Sequence, residues 1–256
     1  MRRWFIAPLI ALLAATLLRP AMAQEDAPAS IDRGAVEAIV RDYLLEHPEV
    51  LVEALTAYEL KRREQATAAT GELIAELGDA LYRDPDSPVT GSADAPVTIV
   101  EFFDYNCPHC KAMAPRLERL LEERSDVRVV FKEYPILTPG SEAAARAALA
   151  AYRQSPELYL AFHWALMAFK GSLNGDEILK LALQVGLDLE WLRVDMEQMA
   201  LETELHETRT MAGKLGIRGT PAFIIGNKLV PGEMSYESLF DLVEEAEKAA
   251  ANASAN

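Results

Sequence analysis

Cys107-Pro108-His109-Cys110 holds the only two cysteines of this 256-residue chain. Two thiols separated by two residues can close a small disulfide ring, ligate a soft metal ion, or exchange disulfides with another molecule. A structural staple is the weakest of the three, because the entropic effect of a disulfide grows with the loop it closes, and this loop is short. Structural zinc usually wants four ligands. The chain offers no second C-x-x-C and no H-x₃-H, and His163 and His206 stand alone in stretches of helical pattern. No metal site is therefore expected. Two thiolates do suit Cu(I), which keeps a copper-binding protein as the non-enzymatic alternative.

Disulfide exchange depends on where the pair sits. Residues 96–103, "PVTIVEFF", are β-branched and aromatic and predict a buried strand; Cys107 to Glu123 predicts a helix, with Pro115 inside it as a kink. Cys107 then stands at a helix N-terminus, where unpaired N–H groups and the helix dipole favour negative charge. Its pKa is expected to fall well below the free value of about 8.5, making it the exposed nucleophile and a good leaving group. Pro108 suits the first helical turn. His109 gives the thiolate a polarisable and at times cationic neighbour. Cys110, one turn further in, is shielded and placed to resolve mixed disulfides.

The elements that must hold this pair follow from the pattern around it. Residues 127–136, "VRVVFKEYPI", predict a second strand, and about 141–215 are helical in pattern, with breaks at Ser155-Pro156, Gly171 to Gly175 and Gly186. "GTPAFIIGNKLVPG" predicts strand, turn at Gly226-Asn227, strand, and "SYESLFDLVEEAEKAA" a closing helix. The order β, α, β, several helices, β-hairpin, α predicts an α/β thioredoxin-like fold over residues 88–250 with a helical insertion, and 251–256 as a disordered tail. Ahead of it, Val36, Ile39, Val40, Tyr43 and Leu44 form one face of an amphipathic helix, broken at His47-Pro48; Leu51, Ala54, Leu55 and Tyr58 continue on a second helix. Slender helices of this kind must cover their apolar stripes on the main domain or on another copy. Residues 24–70 thus predict an N-terminal helical oligomerisation region and linker, with a polar connector, helical or flexible, from Leu60 to Thr70. A third short helix and a Pro/Asp/Ser/Gly-rich boundary occupy 71–87.

Charge and targeting narrow the compartment. A net charge of -15 excludes a nucleic-acid partner, since no basic stripe is available to neutralise phosphates. The first 23 residues combine Arg2 and Arg3, an apolar run from Trp4 to Leu18 and Ala21-Met22-Ala23, the pattern of a cleaved signal peptide. The run is shorter than the ~20 residues a spanning helix needs. The chain is therefore expected in the periplasm, where a thiol pair is read as redox-active, structural or metal-binding.

"FFDYNCPHCKAMAP" resembles the active-site segment of the DsbA-like thioredoxin superfamily, and "GTPAF" is similar to its cis-proline loop. The resemblance implies that Thr220 and Pro221 hold the substrate backbone. It implies that Glu101, six residues before Cys107, is a buried acid serving proton transfer at the inner cysteine, and that Lys132 lies near it. "YLLEHPEVLVEAL" and "FKEYPILTPGSEAAARAA" resemble the exported ScsC-type branch, named for suppression of copper sensitivity. In that branch the N-terminal helices can oligomerise the chain, and trimeric members act as disulfide isomerases. The implied protein is a thiol-disulfide oxidoreductase, a disulfide isomerase or reductase acting on cysteines of periplasmic proteins. A DsbA-like disulfide oxidase is the alternative in direction. The implied partners are a membrane redox protein and further copies of the chain, a trimer, through residues 31–60. No cofactor is implied beyond the Cys107–Cys110 redox pair.

Overall fold

The computed structural model describes residues 32–254; the expected signal peptide lies outside the described residues. The chain divides into two compact units, residues 1–58 and 59–256. In the first, α1 (Arg33–Glu46) is capped by the Asp32 carboxylate, which accepts the Gly34 N–H at 3.1 Å. It buries none of its residues. His47-Pro48 ends it, and α2 (Glu49–Glu76) begins at once.

The polar stretch after Leu60, expected as a helical or flexible connector, is helical: it is the middle of α2, which runs unbroken to Glu76, past the expected start of the third helix, before the short α3 (Gly78–Tyr82). Lys, Arg, Glu, Gln and Ala are good helix formers, so a change of polarity alone does not end a helix.

A five-stranded mixed sheet forms the centre of the second unit, in the order β1-β3-β2-β4-β5. β2 (Val97–Phe103) and β3 (Val127–Glu133) run parallel, joined through α4 (Pro108–Glu123). β4 (Ala222–Ile225) lies antiparallel to β2, and the tight turn at Gly226 (φ 62°) returns the chain as β5 (Lys228–Pro231). β3 is shorter than expected; Pro135, which has no N–H to donate, follows closely on its end.

β1 (Val89–Gly91) was not foreseen. It lies at the start of the expected main domain, just past the boundary at 71–87, where three residues carry no readable alternation. Its partner creates it: β3 offers a free edge, and Val89 to Gly91 pair with Val130 to Arg128. Gly91 has φ 93°, and a Cβ there would stand 2.4 Å from the Val127 carbonyl oxygen, so only glycine lets the two backbones approach.

The sheet is buried on both faces. Ile99, Phe103, Val129, Phe131 and Phe223 join one core with α4, the closing helix α10 (Tyr236–Ser254) and the helical insertion. Val100, Phe102, Val130 and Ile224 join a second core with Ile74, Leu81 and the end of the insertion. The insertion comprises α5 (Pro139–Gln154), α6 (Pro156–Ala168), α7 (Gly175–Gln184), α8 (Leu189–Met196) and α9 (Met199–Lys214). The expected breaks are present, with one more at Glu197-Gln198. At the C-terminus α10 continues to Ser254, into residues expected to be disordered, because the alanines after Lys248 carry helix propensity onward. Among the described residues, no helix is long and apolar enough to cross a membrane.

Candidate active site

The junction of β2 and α4 builds the site. Asp104 and Asn106 turn the chain between them, and both side chains accept backbone N–H groups. Asp104 Oδ1 accepts the Asn106 N–H at 2.7 Å, while Oδ2 accepts Ile136 and Leu137 N–H at 2.9 and 3.0 Å. The Cys107 N–H donates to the Asp104 carbonyl at 3.0 Å. Asn106 Oδ1 accepts the Leu173 N–H at 2.7 Å, and its amide donates to Thr138 Oγ1 at 3.0 Å. The loop ahead of Cys107 is thus fastened to the segment after β3 and to the insertion. The sequence reading missed both residues; an Asp and an Asn placed just before a helix N-cap were the available signal.

Cys107 is the N-cap of α4, and no side chain caps that first turn. Both cysteines are thiols. The Cys107 pKa falls from 9.0 to about 5, first because the Cys110 thiol hydrogen-bonds to it. The backbone N–H groups of Cys110 and His109 act in the same direction, against a partial opposing effect of burial. Burial drives Cys110 far above the ordinary thiol range, helped by the bond it gives to Cys107 and by the Glu101 charge. One sulfur is set up to ionise and the other to keep its proton.

The expectation of an exposed nucleophile needs correction. Cys107 is only 4% exposed. The peptide between Thr220 and Pro221 is cis, and the Thr220 carbonyl oxygen lies 3.2 Å from Cys107 Sγ, where it accepts from the thiol. That loop is held down by β5, since the Gly232 N–H donates to the Pro221 carbonyl at 2.8 Å. Thr220 and Pro221, distant in sequence, therefore adjoin the sulfur.

Glu101 is 2% exposed and faces the same side of the sheet as Ile99 and Phe103, the side α4 covers. Its pKa rises to about 8, mainly through burial and secondarily through the Cys107 charge. Lys132 is not its neighbour. The register pairs Glu101 with Phe131 and Phe102 with Lys132, so strand alternation sends Lys132 to the opposite face. There Lys132 Nζ donates to Asp84 Oδ2 at 2.8 Å and Ser87 Oγ at 2.6 Å. Burial acts to raise the Asp84 pKa, but the hydrogen bond and charge of Lys132 outweigh it and lower it.

His109 is well exposed, and its Nδ1 lies 2.7 Å from Glu233 Oε2, on the loop after β5. Pro108 occupies the first turn of α4 beside it. His163, expected as an ordinary helix residue, is buried in the core. Its Nδ1 is 3.0 Å from the Tyr105 hydroxyl, which donates to Glu133 Oε1 at 2.9 Å. Burial pushes His163 down to about 3, so it is neutral. Among the described residues no group of three or more His, Cys, Asp or Glu could hold a metal ion.

Residues 98–244 match the model of the DSBA-like thioredoxin domain, and residues 32–65 that of the copper resistance protein ScsC N-terminal domain. The chain belongs to the DsbA-like thioredoxin family. This DsbA-like chain is 45% identical to a thioredoxin-like oxidoreductase of Silicibacter pomeroyi, over 66% of this chain and 97% of that one, with TM-score 0.64. It is 33% identical to Proteus mirabilis ScsC in a transitional conformation, over 84% and 97% of the two chains, with TM-score 0.66. It is also 30% identical over 187 residues to the Na(+)/H(+) antiporter NhaA 1 of Salinispora arenicola. That match covers 72% of this chain and 28% of the antiporter, so the chain spans just over a quarter of that curated relative.

Proposed function

We propose that this DsbA-like chain is an exported thiol-disulfide oxidoreductase that isomerises or reduces disulfides of periplasmic proteins through Cys107 and Cys110. The observation that carries the reading is the split pair: a Cys107 thiol lowered to about 5 beside a Cys110 thiol driven upward, under the Thr220 carbonyl.

The Cys107 thiolate attacks one sulfur of a substrate disulfide. That S–S bond breaks, a Cys107–substrate disulfide forms, and the departing substrate thiolate takes a proton from solvent. Cys110 must then lose its proton before it can attack Cys107 Sγ. Glu101, in its ionised form, takes that proton. Attack closes the Cys107–Cys110 disulfide and releases the second substrate thiolate, so the substrate gains two electrons and the pair loses two. In isomerisation the freed substrate thiolate attacks a second disulfide of its own chain, the thiolate released there attacks the substrate sulfur of the mixed disulfide, Cys107 leaves as thiolate, and nothing is consumed. The Thr220-Pro221 loop holds the substrate backbone opposite Cys107. Reduction consumes the dithiol, so a membrane-bound dithiol protein restores it; no further cofactor enters.

The isomerase direction rests on the N-terminal helices. Ile39 is 68% exposed, and Val36, Val40, Tyr43 and Leu55 are exposed with it. In this reading copies of the chain, a trimer, cover that stripe and present several catalytic domains to one substrate. A specific observation favours a second reading, a disulfide oxidase: a thiolate this stable makes its disulfide a stronger oxidant. A Cu(I)-binding protein that uses the two sulfurs as ligands is the non-enzymatic reading.

Refolding of a scrambled disulfide substrate, set beside oxidation of a reduced one and Cu(I) affinity, separates the three. Recovery of native substrate by the reduced protein, lost in Cys107→Ser, supports isomerase. Recovery that survives Cys107→Ser overturns the enzyme reading.

A further inference from the structure

Next to the sulfur lies a charged contact that neither the exchange chemistry nor the fold requires. His109 Nδ1 is 2.7 Å from Glu233 Oε2. A carboxylate oxygen only accepts, so Nδ1 carries a proton in this contact. Glu233 is itself held: its Oε1 lies 3.4 Å from Arg116 Nη1, which also donates to the Met234 carbonyl at 2.8 Å. The Met234 N–H meets Met113 Sδ at 3.3 Å. Arg116 and Met113 belong to α4, so the loop carrying Glu233 is docked along the helix that begins at Cys107. That same loop holds the cis-proline segment, through the Gly232 N–H on the Pro221 carbonyl.

We propose that Glu233 is a positioning residue for thiol-disulfide exchange: it orients the His109 ring and keeps an imidazolium beside the Cys107 sulfur. The carboxylate comes from a position 124 residues away, on the far side of the insertion. The inference rests on the oxidoreductase reading and deepens it, by naming what sets the balance between thiolate and disulfide.

The charges around the contact make its sign readable. The titratable and charged groups facing His109 are Glu233 and the Cys107 sulfur; those facing Glu233 are His109 and Arg116. The His109 pKa is raised, first by its hydrogen bond to Glu233 and then by the charges of Glu233 and Cys107. Acting through His109, Glu233 favours the thiolate. Acting directly, a carboxylate near a thiolate disfavours it. The two routes predict opposite shifts.

The test measures Cys107 ionisation from thiolate absorbance and alkylation rate across pH, together with the equilibrium of the pair against glutathione. The full chain carries Glu233→Gln, His109→Gln or both. With the inference correct, Glu233→Gln lowers the ratio of thiolate to thiol, roughly threefold on the scale of an exposed charge pair, and makes the disulfide correspondingly less oxidising. In the His109→Gln background the same substitution has no such effect. Glu233→Asp, a shorter carboxylate, restores part of it. An unchanged ratio, a raised ratio, or an equal effect with and without His109 overturns the inference. Melting temperature alone would not discriminate, since a purely structural Glu233 would lower it without moving the thiolate titration. If the wild-type protein exchanges no disulfides while its titration responds as stated, the oxidoreductase reading fails and only the hold of Glu233, through His109, on Cys107 ionisation stands.

Discussion

The Cys107 sulfur lies 3.2 Å from the Thr220 carbonyl oxygen, so a residue 113 positions downstream covers the nucleophile. The thiol donates to that oxygen, and the thiolate cannot. On ionisation the sulfur exchanges this bond for those from Cys110 and the N-terminus of α4. Cys107 is therefore a covered sulfur whose charge is held from beneath, and a substrate must displace or share the Thr220 contact to reach it.

Alkylation should report that charge. Modification of Cys107 in the reduced protein is expected to follow an ionisation midpoint near 5, measured as rate against pH. A midpoint in the ordinary thiol range refutes the site as described. The same depression contributes stability to the reduced fold: it grows as pH rises from about 5 toward the unfolded value of 9.0, and is lost as pH falls through 5.

Glu101 behaves in the opposite sense. Its folded pKa of about 8 lies above its unfolded 4.5, so its contribution is fully present below 4.5 and lost as pH rises through 8. Glu101→Gln should stabilise the reduced protein above pH 8, by at most on the order of 5 kcal/mol, since each tenfold change in proton affinity is worth ~1.4 kcal/mol. It should also slow closure of the Cys107–Cys110 disulfide. Thermal unfolding at pH 4 and pH 8.5 and single-turnover kinetics check the two effects; equal destabilisation at both pH values contradicts the buried-acid assignment.

Cys110→Ser should leave attack intact and remove resolution. Mixed disulfides between Cys107 and substrate are then expected to accumulate, visible as reducible conjugates on a non-reducing gel. Their absence with an active wild type would mean that Cys110 does not resolve them.

Lys132, only 1% exposed, is a structural residue. Lys132→Met should cost roughly 3 kcal/mol, because it leaves Asp84 beside an unpaired half-buried site. The Cys107 titration should stay where it was. A moved titration would restore Lys132 to the proton-transfer machinery.

Ile39→Asp, on the exposed face of α1, should lower the oligomeric state in sedimentation without altering Cys107 alkylation. A wild-type chain that sediments as a monomer removes the support for isomerase direction.

Much of this protein was legible one residue at a time. Strand β2 announced itself by a β-branched and aromatic run buried on both sides, and α4 by the Pro at its first turn. The two sulfurs were legible because a C-x-x-C at a helix N-terminus ties chemistry to a local spacing of i and i+3. The break at His47-Pro48 and the β4–β5 hairpin are also local, set by proline geometry and by a glycine in the turn.

Other features depended on contacts between distant segments. β1 exists because β3 has an edge to pair, which three residues of sequence cannot announce. Lys132 lies away from Glu101 because strand register, fixed by pairing along β2 and β3, decides the face on which each side chain emerges. Sequence by itself determined which atoms could react, since a thiol at a helix start has its environment within one turn. Only the tertiary structure decided what covers Cys107 and what faces His109. Thr220 and Glu233 reach the site through the folding of the sheet, and Coulomb and hydrogen-bond energies depend on distance in space.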